Sequence, residues 1–184
     1  MRIIAGRWRG RVISAPPGED VRPTADRVRE AWMSRLHAEL PGARVLDLFA
    51  GCGALGLEAL SRGAAFCDFV ESAAPSVRAI RANGEGLAAL PHLAIHRTEA
   101  LRFVEQLAPR TYDIALADPP YRRGLAPALV RAWQASPFAH VLTVEHHVDE
   151  ALPEGGTSRR YGTSVVTMYR DVPPVPDGGG TSSG

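Results

Sequence analysis

Three glycines, Gly51, Gly53 and Gly56, follow a short apolar segment and begin a stretch with helical character. Their G-x-G-x-x-G spacing permits a tight turn and lets a ligand approach the backbone closely. Dinucleotide-binding folds share this spacing, so the glycines alone do not identify the ligand. The aspartate before the turn, Asp47, distinguishes between the possible ligands. A carboxylate there repels a pyrophosphate at the helix N-terminus but suits a cation. The pattern therefore predicts a pocket for S-adenosylmethionine, which carries a sulfonium and an α-ammonium group.

A second carboxylate, Glu71, ends the next apolar segment, 24 residues after Asp47. At that place in a βαβ fold, a carboxylate can accept hydrogen bonds from both hydroxyls of a ribose. Glu99 follows the third apolar segment, where it either accepts a hydrogen bond from an adenine amino group or is simply an acidic residue at a helix N-terminus. The predicted cofactor-binding residues are Asp47, Phe49, Ala50, Gly51, Gly53, Glu71, Glu99 and Ala100.

The sequence Asp118-Pro119-Pro120-Tyr121, which we call the acceptor loop, follows a fourth apolar segment. Its two prolines fix an extended backbone and carry no N–H group. The Asp118 carboxylate and the Pro119 carbonyl can each accept one proton of an exocyclic amino group, while Tyr121 stacks on the base. Two acceptors stabilise the positive charge that develops on the nitrogen, and in-line placement supplies the rest. We therefore predict a catalytic role for all four residues; a merely rigid loop is the alternative.

Basic residues are concentrated at the start of the chain, where residues 1–11 hold four arginines and no acidic residue. Arginines interleaved with an aromatic residue, here Trp8, can bind phosphates and stack on bases. The alternatives are a solvated basic segment and a tryptophan that packs across a hairpin. Arg22, Arg27 and Arg29 contact RNA, the cofactor carboxylate, or the nearby Asp26 and Glu30. The predicted RNA-binding residues are Arg2, Arg7, Trp8, Arg9, Arg11, Arg22 and Arg27.

Strand and helix patterns alternate from residue 44, which predicts βαβ units and a mostly parallel sheet that is covered on both faces. A β-hairpin and a helix with Thr24 as its N-cap precede these units, and a second hairpin at residues 159–169 adds antiparallel strands. The predicted strands are 3–4, 12–13, 44–48, 66–70, 94–96, 113–117, 141–145, 159–161 and 165–169. The predicted helices are 25–39, 54–61, 75–83, 100–107 and 127–135.

Composition sets the protein class. The 184 residues, with 45% hydrophobic content and a net charge of +1, fit a single domain: an extension of residues 1–40, a core of 41–170 and a disordered tail of 171–184. Absence of a long apolar run or secretory signal predicts a cytoplasmic protein without a membrane contact. Cys52 and Cys67 are expected to be reduced. Adjacent His146 and His147 would point to opposite faces of a strand, so no metal site is expected.

With these motifs in view, the chain resembles the bacterial small-subunit ribosomal RNA (guanine-N2) methyltransferases of the RsmD type. The resemblance runs over about residues 1–170 and rests on four segments: RIIAGRWRGR at 2–11, RPTADRVRE at 22–30, the run 46–60 and ADPPY at 117–121. The first two segments are the most specific, because methyltransferases in general lack them. Cys52 stands where the family commonly has serine or threonine, and Glu99 where it commonly has aspartate.

The resemblance implies a Rossmann-like class I methyltransferase fold with a seven-stranded sheet and an antiparallel last strand. It implies S-adenosylmethionine as donor and the N2 amino group of a guanine in 16S ribosomal RNA as acceptor, on an assembling small subunit. It also implies a monomer in which residues 2–14 grip RNA and the helix after Thr24 covers the cofactor.

Three other functions remain open at this point. An NAD-dependent oxidoreductase shares the glycine turn and Glu71 but leaves Asp47 and the acceptor loop unexplained. A non-catalytic RNA-binding assembly factor accounts for the basic residues but not for the acceptor loop. A methyltransferase for adenine N6 in RNA or DNA fits as well, because the acceptor loop recognises an amino group rather than a whole base.

Overall fold

A seven-stranded sheet with the order β3-β2-β1-β4-β5-β7-β6 forms the centre of the computed structural model, which describes residues 1–16 and 23–171. Strands β1 to β5 are parallel, and β7 runs antiparallel to both β5 and β6. The predicted Rossmann-like sheet with an antiparallel last strand is therefore confirmed. Chain order reverses between β1 and β4, and this switch point is where open α/β sheets bind their ligands.

The strands are β1 Arg44–Leu48, β2 Phe66–Val70, β3 Leu93–His96, β4 Tyr112–Ala117, β5 Ala139–His147, β6 Thr157–Tyr161 and β7 Ser164–Arg170. The helices are α1 Pro23–Arg35, α2 Ala54–Ser61, α3 Ala74–Gly86, α4 Ala100–Val104 and α5 Leu125–Ala135, with a short 3₁₀ helix at Leu90–His92. Strands β1 and β2 and helix α2 lie at the predicted residues, whereas the ends of the other elements differ by one to four residues.

Buried side chains form one core on each face of the sheet. Trp32 of α1, Leu57 of α2 and Ile80 of α3 belong to the first core. Leu129 and Trp133 of α5 belong to the second. Both faces are thus covered, as a parallel sheet requires. None of the helices in the described part of the chain has the length and apolar character needed to span a bilayer.

Helix α1 differs from the prediction at both ends. It begins at Pro23, so Thr24 lies inside the helix and is not its N-cap. It ends at Arg35 rather than at residue 39, because the chain then tightens into turns closed by bonds such as Glu39 N to Leu36 O. The tighter turns bring Leu40 fully into the core. Of the predicted disordered tail, 171–184, Asp171 is described and accepts a 2.6 Å bond from Nε of Arg110, so the prediction is wrong for this residue. Residues 172–184 and 17–22 lie outside the described residues, and the proposed division into extension and core stays a prediction.

The N-terminal hairpin, residues 2–14, pairs less regularly than predicted. A single antiparallel bridge joins Arg2 to Val12, and no extended strands form. The cause lies in α2, where the fully buried Glu58 accepts hydrogen bonds from the N–H groups of Ile4 at 2.8 Å and Ala5 at 3.0 Å. These two N–H groups are therefore bonded to a side chain of α2 and not to a partner strand. Arg62 completes the set with a 2.8 Å bond from its Nε to Glu58.

Candidate active site

The turn between β1 and α2 holds three residues in the left-handed backbone region. They are Phe49 with φ 59°, Gly51 with φ 55° and Gly53 with φ 84°. Such a conformation is costly for phenylalanine and recurs at functional sites. At Gly53 a Cβ would approach Phe69 to 3.2 Å and Ile80 to 3.3 Å, so a side chain there would be both strained and crowded. Gly53 thus packs directly against the core, and residues 49–53 lie at the switch point of the sheet.

Gly56 allows α2 to pack closely on the sheet. A Cβ at this position would overlap with the ring of Phe69 and with Sγ of Cys67. The close approach also lets the N–H group of Gly56 donate a 2.8 Å hydrogen bond to Oδ2 of Asp47. The third glycine of the motif therefore fixes the orientation of the Asp47 carboxylate.

Asp47 is 1% exposed, and its second carboxylate oxygen, Oδ1, has no hydrogen-bond partner among the described residues. Desolvation, with a smaller contribution from the negative charge of Glu71, raises the pKa of Asp47 to about 8. A buried carboxylate with a free oxygen is costly by itself and is stabilised by a cation or donor. This observation fits a positively charged ligand beside the turn.

Glu71 lies just beyond the end of β2 and accepts two backbone hydrogen bonds. Gly51 N donates to Oε2 at 2.9 Å, and Ala73 N donates to Oε1 at 2.8 Å. Each carboxylate oxygen can accept a further bond, so both remain able to receive the hydroxyls of a ribose. We call Asp47, residues 49–53 and Glu71 the cofactor pocket.

Glu99, Ala100 and Ala50 are the other predicted cofactor residues. Ala50 and Ala100 are buried, at 8% and 4% exposure, and Ala50 N is bonded to Val70 O. Glu99 is exposed at the N-cap position of α4, but its side chain makes no capping hydrogen bond. A capping function for Glu99 therefore has no support from the geometry, and an adenine contact stays a prediction.

The acceptor loop begins directly after β4, with Pro119 buried and Asp118 and Pro120 exposed. Asp118 lies in the neighbourhood of Glu145 on β5 and of Asp47 on β1. Although Asp118 is exposed as a residue, partial desolvation of its carboxyl group and the negative charges of Glu145 and Asp47 raise its pKa above the usual value. The geometry thus brings the predicted amine-binding carboxylate to the same switch point as the cofactor pocket.

Tyr121 is held at the rim of the site by two residues from distant strands. Its hydroxyl donates a 2.7 Å hydrogen bond to Oε1 of Glu145 and lies 3.0 Å from Oγ of Ser164. The ring is 38% exposed and makes an edge contact with His147 at 5.7 Å between centroids. Desolvation together with the Glu145 and Asp118 carboxylates raises the pKa of the Tyr121 hydroxyl. The ring is therefore both accessible and fixed in orientation.

Glu145 and Ser164 are site residues that the sequence analysis did not assign. Neither residue was assigned a function from the sequence. Both follow from strand pairing, because His147 on β5 lies opposite Ser164 on β7. Glu145 stands at the end of the predicted strand 141–145, and this position was the only sign in the sequence that it belongs to the site.

The basic residues of the N-terminal hairpin make several contacts of their own. Arg2 donates to Gly10 O at 2.9 Å, and Arg11 donates to Gly86 O at 2.7 Å. Trp8 packs against the core, and the Arg7 guanidinium lies 4.0 Å from its ring centroid. The packing interpretation of Trp8 therefore has geometric support, and RNA binding by this hairpin stays a prediction.

Arg27 and Arg29 lie on different sides of α1. Arg27 is exposed, whereas Arg29 is only 5% exposed. Arg29 donates a 2.6 Å bond to Arg2 O and pairs with Asp26 at 3.1 Å, so it anchors the hairpin to α1. Arg22 lies outside the described residues.

Comparisons with known proteins agree with this geometry. Residues 1–170 match the family described as Conserved hypothetical protein 95. Ribosomal RNA small subunit methyltransferase D of Escherichia coli is 38% identical over 83% of this chain and 78% of its own length. The Haemophilus influenzae protein of the same name is 33% identical over 92% of each chain.

Solved structures give the same result. An Escherichia coli protein described as a candidate methyltransferase has a TM-score of 0.81 and 33% identity, with 92% of this chain and 97% of that chain covered. A Thermus thermophilus 16S rRNA N2 methyltransferase, solved with AdoMet and guanosine, shares the fold with a TM-score of 0.64 at 23% identity, over 85% of this chain and 45% of that one. The chain therefore belongs to the Conserved hypothetical protein 95 family, and its resemblance to the RsmD-type methyltransferases is confirmed.

Proposed function

We propose that this protein transfers the methyl group of S-adenosylmethionine to the N2 amino group of a guanine in small-subunit ribosomal RNA. One observation carries the proposal: β1 and β4 pair in parallel with Leu48 opposite Ala117, so the acceptor loop that begins at Asp118 leaves the sheet beside the turn of the cofactor pocket. A methyl donor and an amine acceptor bound at these two places would meet at the switch point of the sheet.

The cofactor pocket fits a nucleoside that carries positive charge. The free Oδ1 atom of Asp47 is a buried acceptor for a cation, and Glu71 presents two oriented oxygens for a ribose. Ala50, Gly51 and Gly53 present a small side chain or none to a ligand beside the turn, with Glu99 and Ala100 at the adenine side. S-adenosylmethionine supplies an electrophilic methyl group on its sulfonium.

The acceptor loop would bind and activate the amine. Asp118 and the Pro119 carbonyl each accept one N–H bond, which orients the nitrogen lone pair and stabilises the positive charge that develops on it. The raised pKa of Asp118 makes it a stronger proton acceptor than an ordinary aspartate, so it suits removal of the proton that leaves the nitrogen. Tyr121, held by Glu145 and Ser164, offers its ring to the plane of the base.

The choice of RNA as substrate is supported by the relatives named as small-subunit ribosomal RNA methyltransferases. The exposed Arg9 and Arg27 are available for phosphate contacts, and Arg22 and the other hairpin arginines are proposed to join them. A target guanine that is paired must be flipped out of its stack, at a cost of a few kcal/mol. An assembling subunit, in which the target is still accessible, is the proposed substrate, with the enzyme acting as a monomer.

The direct test is transfer of tritiated methyl groups to small-subunit particles from cells that lack this protein. The labelled RNA is digested and the modified nucleoside identified, with naked 16S RNA and mature subunits as parallel substrates. N2-methylguanosine is the expected product. Label in N6-methyladenosine would contradict the proposed acceptor and favour the adenine alternative, and complete absence of label would favour a non-catalytic assembly factor.

Calorimetry tests the cofactor separately. Above pH 8, where Asp47 is ionised, S-adenosylhomocysteine is expected to bind to the purified protein, whereas NAD is expected not to bind because the Asp47 carboxylate repels its pyrophosphate. Binding of NAD alone would instead support an oxidoreductase.

A further inference from the structure

A basic groove lies between helix α1 and the edge strand β6, outside the site described above. It has a volume of about 350 Å³. The groove is lined by Ala31, Ser34, Arg35, Arg159, Arg160 and Tyr161. Three of these side chains are arginines, and none of the lining residues is acidic. A concave surface with several guanidinium groups favours a polyanion.

Strand pairing explains why these residues face one another. Arg159 lies opposite Val166, and Tyr161 lies opposite Ser164. Directly opposed residues of antiparallel strands share a face, and Val166 belongs to the core beneath α1. Arg159 and Tyr161 therefore lie on the side of the sheet that α1 covers. Arg35 of α1 contacts the sheet, because its guanidinium donates bonds to Val166 O at 3.2 Å and to Thr157 O at 3.3 Å.

The groove adjoins the acceptor loop. Tyr161 is paired with Ser164, and the hydroxyl of Ser164 lies 3.0 Å from that of Tyr121. Strand β6 runs in the same direction as β5, so Tyr161 lies at the same edge of the sheet as the acceptor loop. A strand of nucleic acid that leaves the acceptor loop along this edge would enter the groove.

Two side chains of the groove have capacity for a ligand. The Tyr161 hydroxyl is buried and has no hydrogen-bond partner among the described residues. Arg160 lies between Arg159 and Tyr161 on the edge strand β6, so its side chain starts from the opposite face of the sheet and borders the groove at the sheet edge. Its Nε donates a 2.7 Å bond to Gly162 O, and its other N–H groups have no such bond to Gly162. A phosphate oxygen would accept from such groups with the geometry that guanidinium ions favour.

We propose that this groove binds the phosphodiester backbone of the RNA strand next to the target guanine. The inference rests on the proposed function, because it assigns a second contact surface to the same RNA substrate. The groove arginines would position the strand, while Asp118 and Tyr121 hold the base.

The test is the double variant Arg159→Gln/Arg160→Gln, assayed for methyl transfer to small-subunit particles. The expected result is a rise of about tenfold or more in KM for the particle, with kcat changed less than twofold, because two charge-assisted phosphate contacts are lost. The matched control is Arg78→Gln/Arg81→Gln, which removes two exposed arginines from α3. A KM equal to that of the control would overturn the proposal, as would a fall in kcat at unchanged KM.

A binding assay keeps this test independent of the proposed activity. The affinity of wild type and both variants for a single-stranded fragment of 16S RNA is measured at several salt concentrations without cofactor. The groove variant is expected to bind more weakly and to lower the slope of log affinity against log salt by up to about two, one for each phosphate contact. Absence of transfer by the wild type would reject the proposed function, whereas equal salt slopes for both variants would reject the groove. Equal unfolding midpoints of all three proteins exclude a folding defect.

Discussion

In the cofactor pocket the carboxylates of Asp47 and Glu71 accept hydrogen bonds from backbone N–H groups, whereas Tyr121 of the acceptor loop is held by the side chains of Glu145 and Ser164. Backbone donors belong to the main chain, so they remain after substitution of their own residue unless, as at Gly56, the close approach requires glycine. Side-chain partners come from strands far along the chain, and a single substitution removes them. The pocket for the common donor is therefore built into the local fold, while the position of the acceptor depends on tertiary packing.

The largest expected effect is in the acceptor loop. Asp118→Asn keeps the shape of the side chain but removes its charge, so the positive charge developing on the amine loses its main stabilisation. By analogy with the loss of other electrostatic contacts to a transition state, kcat should fall by about 100- to 1000-fold. Transfer of tritiated methyl groups measures kcat, and calorimetry should show unchanged binding of S-adenosylhomocysteine.

The control is Asp113→Asn, an exposed aspartate near the other end of the same strand. If Asp118→Asn retained more than a tenth of the wild-type kcat, the proposed role of this carboxylate in the transition state would be wrong.

A second effect concerns the protonation of Asp47. Its pKa is about 8 in the folded protein and about 3.9 in an unfolded chain, so the folded state binds more protons between these values. Stability should therefore fall as the pH rises through this window, by up to about 1.4 kcal/mol per pH unit for this group. The Asp47→Asn variant lacks this titrating group. Its free energy of unfolding should therefore rise relative to that of the wild type as the pH increases from 5.5 to 7.5.

Urea unfolding at several pH values, without cofactor, measures this difference in the free energy of unfolding. The other titrating groups are present in both proteins, so their contributions cancel. The Asp113→Asn variant provides the matched comparison. A constant difference in stability between wild type and Asp47→Asn across the window would show that Asp47 is already ionised when folded.

A smaller effect is expected at the ribose contact. Glu71→Gln keeps one carbonyl oxygen but replaces the other acceptor by an amide NH₂ group. Loss of a hydrogen bond to a charged acceptor should weaken binding of S-adenosylhomocysteine by about tenfold, with kcat at saturating donor nearly unchanged. Calorimetry measures the affinity, with Glu85→Gln on the exposed side of α3 as the control. Unaltered affinity would mean that Glu71 serves only to hold Gly51 and Ala73.

The smallest effect tests how strongly the acceptor loop depends on its distant partners. Tyr121→Phe keeps the ring but loses the bonds to Glu145 and Ser164. We expect kcat/KM for the RNA substrate to fall by about threefold to fivefold, since a net hydrogen bond contributes about 1 kcal/mol. Ser164→Ala should produce a smaller part of the same loss, and the double variant should be no worse than Tyr121→Phe alone. Additive losses would show that the two hydroxyls act separately.

The sequence predicted those parts of the fold whose signals are local. Strands β1 and β2 and helix α2 lie at the predicted residues, because Gly51, Gly53 and Gly63 mark the turns around short apolar segments. Strand β5 is longer than predicted by two residues at each end, because Ala139 pairs with Tyr112 of β4 and because His146 and His147 pair with β7. Polar residues at strand ends carry no signal for such pairing.

The candidate site divides in the same way. Asp47, Glu71 and the acceptor loop were assigned from motifs, whereas Glu145, Ser164 and the groove at Arg159 depend on the register between β5, β7 and β6. The sequence also did not predict which charged side chains are buried. The pairing of Arg29 with Asp26 was among the predicted alternatives, but its burial was not predicted, because Arg2 O reaches Arg29 only when the hairpin packs on α1.

Glu58 has a consequence for how the protein is made. Its carboxylate is fully buried and accepts hydrogen bonds from the N–H groups of Ile4 and Ala5. These two residues leave the ribosome long before α2 does. The opening residues must therefore wait, unpaired, until their acceptor has been synthesised. A variant that lacks residues 1–5 would contain every residue of the cofactor pocket and the acceptor loop, but its buried Glu58 carboxylate would keep only the bond from Arg62. Such a shortened product should lose a few kcal/mol of stability and become a target for cellular quality control.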